Sequence, residues 1–97
     1  MKRRVNRARE YQHAIRKVLL DEWDPIGVAD VPEAQDEYDS YIHSIYALLI
    51  HHEGERKLFD YLWDIETKDM ELYGNRIRTE KVVNSLLRLR QEMDKKR

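Results

Sequence analysis

The chain has no cysteine, only three glycines and only two prolines among its 97 residues. Without cysteine there is no disulfide, no thiolate metal ligand and no thiol nucleophile, and the composition suits a reducing compartment. So little glycine and proline argues against a loop-rich or all-β architecture and against a glycine-rich phosphate loop. The longest apolar run, 45–50, is far short of the ~20 residues that cross a bilayer. The basic start, MKRRVNRAREYQ, is not followed by an apolar segment, so it does not read as a secretory signal. The expected location is cytoplasmic. No Gly-x-Ser-x-Gly elbow, His-Glu-x-x-His pair or calcium-loop spacing occurs. The expectation is therefore a non-enzymatic protein with no cofactor and no metal.

One stretch lacks positive charge altogether. Residues 18–55 contain no lysine or arginine but ten carboxylates, Asp21, Glu22, Asp24, Asp30, Glu33, Asp36, Glu37, Asp39, Glu53 and Glu55. Residues 1–17 carry seven Lys/Arg against one acid, and residues 56–97 carry eleven against eight. The regional charges are +6, −10 and +3, behind a formal net charge of −1. A field so segregated steers a basic partner, unless the chain's own basic arms fold back and cancel it.

What is present is helical periodicity. With 38% charged and 41% hydrophobic residues, the chain has enough apolar side chains for one modest core in one domain spanning 1–97. Val5, Ala8, Tyr11, Ile15, Val18, Leu19 and Trp23 recur at helical spacing and predict a helix over 5–22, stopped by Pro25 and Gly27. Tyr38, Ile42, Ile45 and Leu49 predict a second over 33–52, entered through an acidic capping box at Asp30 and Glu33 and stopped at Gly54. Leu58, Leu62, Ile65 and Met70 predict a third over 55–70, broken at Gly74-Asn75. Val82, Val83, Leu86 and Met93 predict a fourth over 79–95, to which Arg76-Ile77-Arg78 can add a turn at the start. The fold class expected is all-α, a compact bundle of about four helices, with a basic N-terminal arm at 1–8 and a frayed basic tail at 94–97. Ile26 and Val28 are expected to fold back over the helix ends.

Chemistry concentrates around the first interhelical loop. Asp30, Glu33, Asp36, Glu37 and Asp39 interleave with Tyr38 and Tyr41, the composition of a surface that receives arginine or lysine. The competing reading packs the two tyrosine rings inward and leaves only their hydroxyls near water. If the loop is a tight reversal, Asp21, Glu22 and Asp24 approach Asp36, Glu37 and Asp39, and the two groups could hold a divalent cation for a metal-dependent enzyme. The four histidines, His13, His43, His51 and His52, make no ligand spacing on one helix. Arg3, Arg4, Arg7, Arg9, Arg76 and Arg78 form the basic arms that a nucleic-acid-associated regulator would use.

Three blocks, Trp23-Asp24-Pro25-Ile26-Gly27-Val28, Asp36-Glu37-Tyr38-Asp39-Ser40-Tyr41-Ile42 and Tyr61-Leu62-Trp63-Asp64-Ile65-Glu66, resemble the hallmark segments of a widespread family of small bacterial helical proteins, largely uncharacterised, some of them immunity-like partners in toxin systems. The resemblance covers the central half of the chain. Its first two blocks flank one interhelical loop, where Asp24 would cap or brace the loop while Trp23 roofs the core, or the two blocks would together form a partner-binding rim. It implies a helical fold and a bacterial or phage origin, and it carries no catalytic residue. Together with the charge pattern, the expectation is an immunity protein that neutralises a basic, nuclease-like toxin. Asp30, Glu33, Asp36, Glu37, Tyr38, Asp39 and Tyr41 would form the partner-binding set. A phage-encoded inhibitor of a host nuclease complex would use the same face.

Overall fold

The computed structural model describes residues 7–95, so the expected arm at 1–6 and the tail at 96–97 lie outside the described residues. Four α-helices and no strand occur within them: α1 (Arg7–Val18), α2 (Asp39–Ile50), α3 (Glu55–Asp64) and α4 (Arg76–Lys95). Arg7 and Ala8, expected in the arm, already lie in α1. Asp94 and Lys95, expected to fray, continue α4. Helix α4 begins three residues earlier than its apolar stripe suggests, because the Asn75 side chain accepts the Arg78 backbone N–H at 3.0 Å and starts the helix there.

The four apolar stripes meet in one core. Ile15, Leu19 and Trp23 pack with Ile42, Ile45 and Leu49, with Leu58, Leu62 and Ile65, and with Val82, Val83 and Leu86, all of them buried. Each such side chain contributes about 1.5–3 kcal/mol when fully removed from water, which makes this cluster the main force holding the helices together. Helix α4 touches all three of the others. Helices α1 and α2 are antiparallel, with Tyr11 edge-on to Tyr46 at 5.3 Å and Arg16 paired to Asp39. In the first loop Val28 is buried as expected, but Ile26 is 42% exposed.

The helix ends differ from the predicted stops. Helices α1 and α3 each widen into a π-helical turn, Leu19–Trp23 and Ile65–Asp69. The Asp24 N–H donates to the Leu19 carbonyl and the Met70 N–H to the Ile65 carbonyl, both at 2.8 Å, which closes each wide turn. The chain then reverses through a left-handed residue, Asp24 (φ 33°) after the first turn and Glu71 (φ 56°) after the second. Helix α2 ends with the His52 N–H on the Leu49 carbonyl and the Glu53 N–H on the Leu48 carbonyl, with His52 left-handed at φ 59°. Arg90 of α4 donates to the carbonyls of Leu49 and Glu53 at the same helix end. Gly54, the predicted stop, is instead the N-cap of α3. Polar residues take three left-handed positions that glycine usually fills, in a chain with few glycines to spend.

The α3–α4 joint does need its glycine. Gly74 has φ 84°, and a Cβ there would lie 2.7 Å from Cη2 of Trp63 and 2.8 Å from its Cζ3. Trp63 in turn stacks on Phe59 at 5.5 Å, so the ring has little room to retreat. Gly74→Ala is expected to lose about 2–4 kcal/mol of stability, combining the left-handed strain with overpacking; a urea unfolding curve unchanged from wild type would refute the account.

Tyr11 offers a second check. It is 6% exposed, and its hydroxyl is buried without a hydrogen-bond partner. Burial first, and then the Asp94 carboxylate, push the phenol up from 10.0 to about 12. The unfolded chain therefore ionises Tyr11 first, so the native state loses stability as pH rises from 10.0 towards 12, and below that window ionisation of this group makes no contribution. Tyr11→Phe deletes an unsatisfied group and is expected to be neutral or stabilising at pH 7, with alkaline unfolding shifted to higher pH. Circular dichroism against pH measures both, and an unmoved alkaline midpoint would count against this role.

Candidate functional site

The first loop is braced by Asp24. Its Oδ1 accepts the Val28 N–H at 2.8 Å and the Tyr38 hydroxyl at 2.9 Å, and its Oδ2 accepts the Ala29 N–H at 3.1 Å. The Tyr38 oxygen in turn accepts the Ile26 N–H at 3.3 Å. One carboxylate thus satisfies loop amides that no helix supplies with partners. The expected capping role of Asp30 does not occur. Val31 is the N-cap, and the Ala34 N–H donates to its carbonyl with no side-chain cap. Tyr38 also leaves the predicted partner-binding set, because its ring is 1% exposed and packs on Trp23 at 5.4 Å. Burial raises its phenol well above the ordinary tyrosine value, with the Asp24 carboxylate adding to the rise and the Ile26 N–H opposing it.

Below this loop lies a carboxylate that the sequence analysis did not single out. Glu66, in the π turn after α3, is fully buried. Its Oε2 accepts the Trp23 indole N–H at 3.1 Å and the Thr79 hydroxyl at 2.5 Å, and its Oε1 accepts Nη2 of Arg78 at 2.9 Å. The Thr79 hydroxyl also lies 2.9 Å from the Asn75 carbonyl. That carbonyl already receives the Thr79 backbone N–H, so the single hydroxyl proton is best used on Glu66. Arg78 holds on through one Nη, and its Nε is buried without a partner. Trp23 thus roofs the core as expected, while its N–H ties α1 to α3 and α4. The sequence signal was partial: Glu66 follows Leu58 and Leu62 at four-residue steps and so falls on their buried face, but the donors that satisfy it lie elsewhere in the chain.

The acidic residues sort into paired and unpaired. Residues Pro32–Tyr38 form a 3₁₀ helix rather than the first turns of an α-helix. With three residues per turn, positions three apart eclipse, so Glu33 and Asp36 stack on one edge with Asp30 and Asp39 at its two ends. Asp30, Glu33, Asp36 and Glu37 are exposed and have no hydrogen-bond or ion-pair partner among the described residues. Asp39 is exposed but is held by Arg16. Tyr41 is half-buried against Tyr38. Burial raises its phenol, with smaller contributions from Asp69, Tyr61 and Glu37. Asp69 therefore joins this surface from the far end of the second π turn, a residue no local pattern could have placed there. Ile26 and Val31, 42% and 41% exposed, supply apolar area beside the carboxylates.

The other expected arrangements dissolve. Asp21 pairs with Lys17, Glu22 accepts the Ser85 hydroxyl, and Asp24 braces the loop. The two acid groups therefore do not converge, and among the described residues no cluster of three or more His, Asp or Glu is placed to hold a metal ion. Of the basic arms, Arg78 is committed to Glu66, while Arg76 pairs with Glu80 and lies 5.2 Å over the Phe59 ring. No helix among the described residues is long and apolar enough to cross a membrane. No family model, curated protein or solved structure matches the chain.

Removing the Glu66 carboxylate leaves an indole N–H and a hydroxyl unpaired in the interior and a half-buried arginine without its carboxylate. Glu66→Ala is expected to cost about 3–5 kcal/mol, whereas Glu66→Gln, which keeps an acceptor oxygen, loses less. Guanidinium unfolding of the two variants tests the order, and equal small losses would show the network to be dispensable.

Proposed function

We propose that the protein is a non-enzymatic binding protein that neutralises a basic protein by occlusion, most concretely an immunity protein against a nuclease-like toxin. The observation that carries this reading is the ridge of Asp30, Glu33, Asp36 and Glu37, four exposed carboxylates on one short segment that have no partner among the described residues. Stacking like charges three residues apart disfavours the folded state, and nothing among the described residues offsets it. A basic partner would. The ridge supplies charge, Tyr41 a half-buried aromatic face, and Ile26 and Val31 exposed apolar area, which together make an interface with an energetic centre and a charged margin. The ridge would cover lysines and arginines that a nuclease needs for its own substrate, with electrostatic steering accelerating encounter. The three sequence blocks resemble a largely uncharacterised family of small bacterial helical proteins, some of them immunity-like, which points the same way. A phage-encoded inhibitor of a host nuclease complex would differ only in the target.

Asp39 is a poor test position because it holds Arg16. Asp36→Asn combined with Glu37→Gln is the cleaner probe, since both residues are exposed and unpaired. Affinity purification from lysate of the source cell, at low and high salt, is expected to retain a basic protein with wild type. The double variant should bind it at least tenfold more weakly, about 1.4 kcal/mol, with a shallower salt dependence. An unchanged affinity and salt slope in the double variant would remove the ridge from the mechanism.

A further inference from the structure

At the end of the bundle opposite the acidic ridge, a cavity of about 170 Å³ opens where the start of α1 meets the ends of α2 and α4. Tyr11 lines it from α1, Tyr46 and Ile50 from α2, and Met93 from α4. Its charged members are Arg7, His52 and Asp94, the last two 3.7 Å apart. Tyr11 is only 6% exposed, and its hydroxyl is buried without a hydrogen-bond partner among the described residues. The Asp94 carboxylate acts on that hydroxyl, which puts the phenol oxygen on the Asp94 side of the cavity. Buried polar groups are nearly always paired, and a donor left without an acceptor carries its full desolvation cost. Ile50, beside it in the lining, is 45% exposed.

We propose that this cavity binds a small uncharged ligand made of one ring bearing a carbonyl oxygen. The volume is that of a single benzene-sized ring, since an apolar cavity of roughly 150 Å³ takes up benzene. Tyr11 and Tyr46 meet edge to face at 5.3 Å and offer aromatic surface to such a ring, and the thioether of Met93 is soft enough to pack against it. Binding would also cover the exposed part of Ile50. The carbonyl oxygen accepts the Tyr11 O–H and removes the unpaired donor. Charge selects against an ionised ligand. Asp94 disfavours a carboxylate at the hydroxyl, and Arg90, the cation acting on the same group, already donates to the Leu49 and Glu53 carbonyls. Arg7 and Arg90 disfavour a cationic ligand in turn. The site is remote from the ridge and does not depend on its proposed partner.

The test is an NMR titration of the full chain, labelled on its methionine methyls, with acetophenone and with ethylbenzene, a ring of similar shape that has no acceptor. Both are expected to shift the Met93 methyl saturably and to leave Met70, at the far end of the bundle, unmoved. Tyr11→Phe deletes the donor and keeps the ring. It should raise Kd for acetophenone about tenfold and leave Kd for ethylbenzene unchanged. Ile50→Trp, at an exposed position of the lining, should fill the cavity and abolish the Met93 response to both. The proposal is overturned if acetophenone gives no saturable shift at Met93, if Met70 responds as strongly, if Tyr11→Phe affects the two ligands equally, or if Ile50→Trp leaves the response intact.

Discussion

A single buried carboxylate sets the geometry of the molecule. Glu66 gathers the indole of α1 and the hydroxyl and guanidinium of α4 onto the turn that follows α3. Taking a charge out of water is costly, and the cost is met only when every lone pair finds a donor in good geometry. Three donors from two other elements cover both carboxylate oxygens, and holding them there fixes the separation and rotation of the helices that carry them. Two of the participants, Trp23 and Glu66, stand in π-helical turns. A wider turn rotates the last side chains of a helix away from the direction an α-turn would give them, which is how an indole at the end of α1 comes to face a carboxylate at the end of α3.

The position of the acidic ridge follows from that lock. Trp23, fixed by Glu66, carries the Tyr38 ring on its face, and the Tyr38 hydroxyl is held by Asp24 one residue beyond Trp23. The 3₁₀ helix is therefore anchored at its C-terminal end by a core side chain, while its outer edge is left to carboxylates. Tyr38 belongs to the scaffold that presents the surface and is absent from the surface itself. The tyrosine that reaches the solvent side is Tyr41, one α-helical turn further on and only half-buried.

The four helices and their core stripes were legible because burial imposes a period. Ile15, Leu19, Ile42, Ile45, Leu58, Leu62, Val82 and Leu86 follow it, and all are buried. The helix ends were not. Glycine marks a stop only when it occupies the left-handed position, and here Asp24, His52 and Glu71 occupy it two or three residues before Gly27, Gly54 and Gly74. Asp24 was legible as a brace because an aspartate before Pro-x-Gly has loop amides within reach. Asp30, placed before a proline with a glutamate after it, had the pattern of a cap, but the chain entered a 3₁₀ helix in which a neighbouring backbone carbonyl served instead. Glu66 and Asp69 could not be found locally, since their partners are supplied by residues far away in the chain.

The survival of an unpaired ridge in a nearly neutral protein has a local cause. Most lysines and arginines that pair do so within their own helix turn: Lys17 with Asp21, Lys57 with Glu53, Lys68 with Asp64 and Arg76 with Glu80. Such exposed pairs are worth only about 0.3–0.5 kcal/mol each, but they keep those cations in place. Among the described residues, Arg16 with Asp39, Arg78 with Glu66 and His52 with Asp94 are the ion pairs that join distant segments. None of them reaches Asp30, Glu33, Asp36 or Glu37. At physiological ionic strength a field decays over about 8 Å, so cations held in turns elsewhere on the bundle do little to screen these four. Overall neutrality therefore coexists with a strongly anionic edge, and the Arg16–Asp39 pair neutralises the carboxylate at its C-terminal end.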